Sequence, residues 1–263
     1  MGMGTARSVF LIHGMWGRGA YWERFAERLE AAGCRVAAPD LLHHDIAPDD
    51  PPPDGLGTLS LIDYLDDLET KLKAFDEQAV IIGHSMGGLL AQQLAARGLG
   101  SALVALSPAP SAGMFPFRLK PLQVFGPILM RPGWWRHPHK PSWEGVRATV
   151  FNAGVPEDEA RREFANYVWD SGRVLFEISH WWLDRRRASA VAREKIAVPT
   201  LVIGGRQDAI VPVPWIRAAA RAFGGRAAYE EFPDFGHWLV GEPALSTIAD
   251  RVLRFLGSAA RAG

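Results

Sequence analysis

The chain has 263 residues, 48% of them apolar and 22% charged, which is long for one domain, short for two, and sufficient for a large buried core. Lys plus Arg equals Asp plus Glu, so there is no cationic surplus of the kind that nucleic-acid binding or attraction to an anionic membrane requires. The one cysteine, Cys34, excludes an intrachain disulfide, and the short apolar run Val9 to Ile12 after the polar Met1 to Ser8 gives neither a leader core nor a membrane span; the expectation is a cytoplasmic protein with no integral membrane association.

Short β-branched runs alternate with longer helical patterns. Ser8 to Ile12 reads as a buried strand, Tyr21 to Ala32 as an amphipathic helix, and Arg35 to Ala38 as a second strand closed by Pro39. Pro48, Pro51, Pro52 and Pro53 make 40–57 a loop. Leu61, Leu65, Leu68 and Leu72 recur at helical spacing and predict a helix over 59–75. Ala79 to Ile82 is a strand, Met86 to Arg97 a helix, and Ala102 to Leu106 a strand. From Pro108 to about Lys195 the chain is irregular and rich in Pro, Trp, Phe and Arg, with helical patches near 157–170 and 173–188. The rhythm then resumes with a strand Val198 to Gly204, a helix Val213 to Phe223, a strand Ala227 to Phe232 and a helix Pro243 to Leu256. Strands alternating with helices imply an α/β fold, with a mostly parallel sheet of about six strands covered on both faces. The core is expected over 1–107 and 196–263, with 108–195 as an insertion above the sheet.

One motif carries chemistry. Gly83-His84-Ser85-Met86-Gly87 stands where the strand Val80 to Ile82 ends and a helix begins. A serine on that turn is strained, with its hydroxyl thrust out beyond the carboxyl edge of the sheet, and the flanking glycines allow close backbone passage. A serine hydroxyl is a poor nucleophile at neutral pH and needs a base, which in turn needs an orienting carboxylate. Asp208 follows the strand Thr200 to Ile203, and His237 follows the strand ending at Phe232, so both emerge at the edge that bears Ser85. The other candidates fit less well. His13 looks structural, His43 and His44 sit in a Pro-rich loop, His137, His139 and His180 lie in the insertion, and Asp234 marks a turn. Oxyanion donors are expected from the Met86 N–H after the nucleophile and from the loop His13-Gly14-Met15-Trp16-Gly17, where the Met15 N–H is the first choice and Trp16 the reserve.

These features resemble the α/β-hydrolase superfamily along nearly the whole chain: the His13-Gly14 loop, the elbow at 83–87, the strand end Val-Ala-Ala-Pro-Asp at 36–40, Asp208 and His237. The resemblance implies a central sheet that starts at the strand usually counted third, and a variable cap at 108–195. It also implies esterases, lipases, lactonases, amidases and carbon–carbon hydrolases as relatives. Serine rather than aspartate at position 85 disfavours epoxide opening and dehalogenation, while cofactor-free haloperoxidases share the serine.

The insertion is aromatic: Phe115, Phe117, Phe125, Trp134, Trp135, Trp143, Phe151, Phe164, Tyr167, Trp169, Phe176, Trp181 and Trp182. Trp134 and Trp181, with Trp16 and Trp238 beside the oxyanion loop and the base, are candidates for lining a hydrophobic substrate pocket. Arg185 to Arg187 read as a solvated helix face. No metal motif occurs, and Gly17-Arg-Gly19 lacks the third glycine of a dinucleotide turn, so no cofactor is expected. The resulting expectation is a carboxylic-ester hydrolase for small to medium hydrophobic esters, with Ser85 as nucleophile, His237 as base and Asp208 as orienter. Lactonase, amidase or carbon–carbon hydrolase action, or a non-enzymatic receptor on the same fold, are the alternatives.

Overall fold

The computed structural model describes residues 7–114, 119–152 and 154–259; Met1 to Ala6, Phe115 and Phe117 lie outside the described residues. In chain order the elements are β1 (Ser8–Ile12), α1 (Glu23–Ala31), β2 (Arg35–Ala37), α2 (Leu61–Asp76), β3 (Val80–His84), α3 (Met86–Ala96) and β4 (Ala102–Leu106). They continue with α4 (Leu122–Leu129), α5 (Trp143–Thr149), α6 (Glu157–Ala165), α7 (Gly172–Ser179), β5 (Thr200–Gly205), α8 (Val213–Arg221), β6 (Ala227–Phe232) and α9 (Leu245–Ala259).

Among the described residues the six strands form one sheet in the order β2-β1-β3-β4-β5-β6, with every neighbouring pair parallel. β1, β3, β4 and β5 are buried along their whole length, as continuous apolar runs in a doubly covered parallel sheet should be. α3, which follows the elbow, is buried on nearly all sides, so its sequence carries no charged residue, and its two polar residues, Gln92 and Gln93, are buried and hydrogen-bonded to backbone carbonyls. α2 starts on a capping box in which Ser60 accepts from the Ile62 N–H and Asp63 reaches back to the Ser60 N–H.

Parallel pairing puts every strand's carboxyl end at one edge of the sheet. The loops after β1, β3, β5 and β6 carry Met15, Ser85, Asp208 and His237, which therefore converge from distant parts of the chain.

Several element boundaries differ from the sequence reading. The helix expected from Tyr21 begins with a 3-10 turn, Gly19–Trp22, because Gly19 packs on the Ala38 carbonyl and turns the chain tightly before α1. The helical patch at 173–188 ends at Ser179, and Arg185 to Arg187 lie exposed in a turn rather than on a helix. There Asp184 takes the Arg186 and Ala188 N–H groups, so side-chain bonding replaces the helical ladder. The chain between β4 and β5 also holds α4 and α5, which the proline content concealed; α4 carries Pro127 in its interior. Among the described residues no helix is long and apolar enough to cross a membrane.

Candidate active site

Ser85 adopts φ 56° and ψ −121°, a conformation costing about 1–3 kcal/mol in a residue with a Cβ. Four backbone hydrogen bonds hold it there. Its N–H donates to the Leu106 carbonyl at 2.9 Å, and its own carbonyl accepts the N–H groups of Gly88, Leu89 and Ala109 at 2.9, 3.2 and 2.8 Å. A side chain at Gly83 would strike the Gly87 carbonyl, and one at Gly87 would strike the Ile12 and His13 carbonyls. The elbow thus wedges against β1, which brings Ser85 under the loop that begins at His13.

Asp208 and His237 are both buried, with His237 Nδ1 2.8 Å from Asp208 Oδ2. The other carboxylate oxygen accepts the Ile210 and Val211 N–H groups at 2.9 and 2.7 Å. Donors on that side leave one direction open, and it points at the imidazole. The pairing fixes the ring as Nδ1–H donor, with Nε2 left as the basic nitrogen. The two loops are joined by close backbone: Gln207 N–H donates to the Phe235 carbonyl at 3.0 Å, and any side chain at Gly205 would strike the Phe235 and Gly236 carbonyls.

The loop after β1 is organised by His13. Its Nε2 accepts the Leu41 N–H at 3.1 Å, so Nδ1 carries the proton and donates to the Gly14 carbonyl at 2.9 Å. Burial, helped by the nearby His44, pushes the His13 imidazole down to about 3 and keeps it neutral. His13 is structural, in line with the sequence reading. The Met15 N–H has no protein partner among the described residues, and Met86, as the first residue of α3, has no carbonyl one turn back. The Trp16 N–H, the reserve donor, is already committed to Asp170 Oδ2 at 2.9 Å. That removes Trp16 as an oxyanion donor.

Ser85, His237, Met15 and Met86 all line one cavity of about 360 Å³. Its walls come from the sheet edge and from the segment between β4 and β5, including Phe125 of α4 and Leu175 and Ile178 of α7. No Asp, Glu, Lys or Arg lines it among the described residues. Trp16 and Trp238 face the cavity; Trp134 and Trp181 do not, which corrects the expectation for those two. The Trp134 ring packs with Phe176 and His180 inside the insertion, and the Trp181 indole N–H donates to the Met114 carbonyl at 2.9 Å. Both tryptophans pack within the segment between β4 and β5. No cluster of His, Cys, Asp and Glu fit to hold a metal ion occurs among the described residues.

Three residues at the site were missed in the sequence. His84 Nε2–H donates to the His237 carbonyl at 2.8 Å, and the Tyr21 hydroxyl donates to His84 Nδ1. Burial and the adjacent His237 hold the His84 imidazole well below its ordinary range, as a neutral strut between the elbow and the loop that carries His237. The adjacency of His84 to Ser85 was the available signal. Asp170 offered none: it sits between β4 and β5, 154 residues from Trp16, yet is fully buried beside it.

The family model for the alpha/beta hydrolase family matches residues 9–247. A pyrethroid hydrolase of Sphingobium wenxiniae is 39% identical over 87 residues, which is 32% of this chain and 29% of that protein, so the match spans under a third of the relative. Among solved structures, a monoacylglycerol lipase of Paleococcus ferrophilus superposes with a TM-score of 0.71 at 20% identity, covering 97% of this chain and 96% of that one. A pyrethroid hydrolase of Sphingobium faniae gives 0.67 at 23% identity over 98% and 100%. A meta-cleavage product hydrolase of Pseudomonas fluorescens gives 0.67 at 24% identity over 97% and 92%. At these identities the structural likenesses speak for the fold.

Proposed function

The chain belongs to the alpha/beta hydrolase family, and from that premise we propose that it hydrolyses neutral hydrophobic carboxylic esters through an acyl-enzyme, with Ser85 as nucleophile, His237 as base and Asp208 as its orienter. The observation that carries the reading is the 2.8 Å pair of His237 Nδ1 and Asp208 Oδ2 behind a cavity that Ser85 also lines.

His237 Nε2 takes the Ser85 hydroxyl proton as the oxygen bonds to the substrate carbonyl carbon. The carbonyl oxygen, now negative, receives the Met15 and Met86 N–H groups. Collapse of the tetrahedral intermediate expels the alkoxide, which leaves as alcohol with the proton from His237. Water then attacks the acyl-enzyme, gives its proton to His237, and releases the acid while Ser85 recovers its hydrogen. The segment 108–195 acts as a cap that keeps this space apolar.

The lining supports the substrate class. A substrate carrying a carboxylate finds no fixed cation on the described walls, whereas an alkyl or aryl ester buries its apolar surface against Trp16, Phe125, Leu175, Ile178 and Trp238. A pyrethroid hydrolase among the relatives fits a bulky neutral ester, and the same chemistry is proposed here without a named substrate.

Hydrolysis of p-nitrophenyl esters of increasing acyl length by wild type and Ser85→Ala tests the reading. Turnover by wild type and none by the variant is the expected result. Equal rates would overturn it. Lack of turnover together with lack of Ser85 labelling by a fluorophosphonate would favour a receptor.

A further inference from the structure

The Met15 N–H lies in the Gly14–Met15 peptide plane, and the next plane, Met15–Trp16, is hinged to it at the Met15 Cα. In the first plane it lies opposite the Gly14 carbonyl, because a trans peptide is flat. That carbonyl is fixed from within the core by the His13 Nδ1–H at 2.9 Å and the Gly17 N–H at 3.1 Å. The second plane carries the Trp16 N–H, and it is fixed by the Asp170 carboxylate at 2.9 Å.

Asp170 belongs to the insertion, and the insertion grips Trp16 at two further points. The Val168 N–H donates to the Trp16 carbonyl at 2.9 Å, and the Trp16 indole N–H donates to His139 Nδ1 at 3.1 Å. Trp16 is thereby held at φ 65°, a left-handed conformation that a bulky side chain rarely adopts. The grip is itself anchored. A pair of backbone bonds joins His139 and Asp170 at 2.9 and 3.0 Å. Asp170 Oδ1 accepts the Tyr64 hydroxyl of α2 at 3.1 Å and the Ser171 N–H at 2.7 Å. His44 Nε2 stands 3.3 Å from Oδ2, within ion-pair reach but off the line of a good hydrogen bond.

We propose that Asp170 is a positioning residue for the oxyanion site: from the segment between β4 and β5 it pins the Met15–Trp16 peptide and so restricts the rotation about Met15 that would turn the Met15 N–H away. The inference rests on the ester-hydrolase reading above. It makes the insertion part of the catalytic geometry as well as a wall of the cavity. The carboxylate touches no substrate, since Asp170 does not line the cavity. Its effect falls on the transition state, where the oxyanion exists, and leaves ground-state binding nearly alone.

Asp170→Asn keeps the volume but sets an amide among three donors. Tyr64→Phe is the control, since it removes a bond to the same carboxylate without touching the loop. On a p-nitrophenyl ester cleaved by wild type, Asp170→Asn is expected to lower kcat by about tenfold to a hundredfold with KM within about twofold. Its affinity for a trifluoromethyl ketone, which forms a tetrahedral adduct on Ser85, should fall in parallel. Tyr64→Phe should lose thermal stability and lower kcat by much less than Asp170→Asn, because the Trp16 N–H keeps its bond to Oδ2.

Unchanged kcat in folded Asp170→Asn, or equal losses of kcat in both variants, would overturn the proposal and leave Asp170 a fold-stabilising residue. Should Asp170→Asn fail to fold, His139→Leu carries the test. It removes the indole acceptor while leaving the His139–Asp170 backbone pair in place, and should give a smaller parallel loss of kcat and adduct affinity; no loss in either would sink the idea. Wild type that neither hydrolyses esters nor reacts with fluorophosphonate would instead remove the ester-hydrolase reading itself.

Discussion

Asp208 Oδ2 lies 2.8 Å from His237 Nδ1, while its other oxygen is taken by the Ile210 and Val211 amides. The carboxylate therefore orients the imidazole and is itself held by backbone. In Asp208→Asn the fold should persist, but an amide NH₂ facing Nδ1 selects the wrong tautomer and puts the proton on Nε2. The expected loss in kcat on the preferred p-nitrophenyl ester is about 10²–10⁴-fold, with an unchanged melting curve. A kcat within about threefold of wild type would remove Asp208 from the scheme.

Ser85 is strained, so replacing it with glycine should stabilise the protein while abolishing turnover. Glycine adopts φ 56°, ψ −121° without a Cβ clash, and its greater unfolded-state entropy offsets part of the gain. Urea denaturation should show Ser85→Gly more stable by about 1 kcal/mol. A lower midpoint than wild type would mean that the elbow stores no strain.

Two glycines should respond oppositely to alanine. At Gly87 a Cβ meets the Ile12 and His13 carbonyls, which are backbone and cannot turn aside, so Gly87→Ala should cost about 3 kcal/mol or more. At Gly257, inside α9, the added carbon meets nothing within 4 Å outside its own chain neighbours and helix backbone. Gly257→Ala should therefore gain up to about 0.5–1 kcal/mol from helix propensity. Thermal melts of the two variants read both outcomes, and similar shifts in the two would contradict the packing described for the elbow.

Acid should unfold this protein early. Burial holds His13 down to about 3 and His139 to about 4, and holds His84 well below its ordinary range. The unfolded chain binds these protons below about pH 6.5, whereas the folded chain refuses them. Stability is thus full above about pH 6.5 and is lost as the pH falls, by about 1.4 kcal/mol per pH unit for each histidine, until each folded-state pKa is reached. Asp170 acts lower: burial alone would raise its carboxyl, but His44 and His139 hold it at about 2, so its contribution is lost below the ordinary carboxylate range. Melting temperatures should drop steadily between about pH 7 and 5; a flat profile there would show that the buried histidines accept protons in place.

Much of the fold was legible because a buried parallel strand leaves a local mark. Runs such as Val80 to Ile82 and Leu201 to Ile203 are apolar on both faces, and the turn after β3 needs Gly83 and Gly87 for backbone clearance. Asp208 and His237 were legible from their places after two strands. The insertion was not. Its helices are short, one of them carries a proline in its interior, and its aromatic residues give no sign of which way each ring faces. Trp134 and Trp181 turned inward to hold that segment together, while Phe125 and Tyr167 face the cavity.

By itself, the sequence determined the order of the sheet's strands and the helices that cover them, the strained serine, and the edge at which Asp208 and His237 emerge, because periodicity, glycine clearance and parallel connection act over short stretches of chain. Only the tertiary structure decided which amide of the loop after β1 is left unbonded. Trp16 and Met15 are neighbours with equivalent N–H groups, and what separates them is a carboxylate 154 residues away that folds back onto one and not the other. A hydrogen bond between distant segments is set by packing, and no local pattern records it.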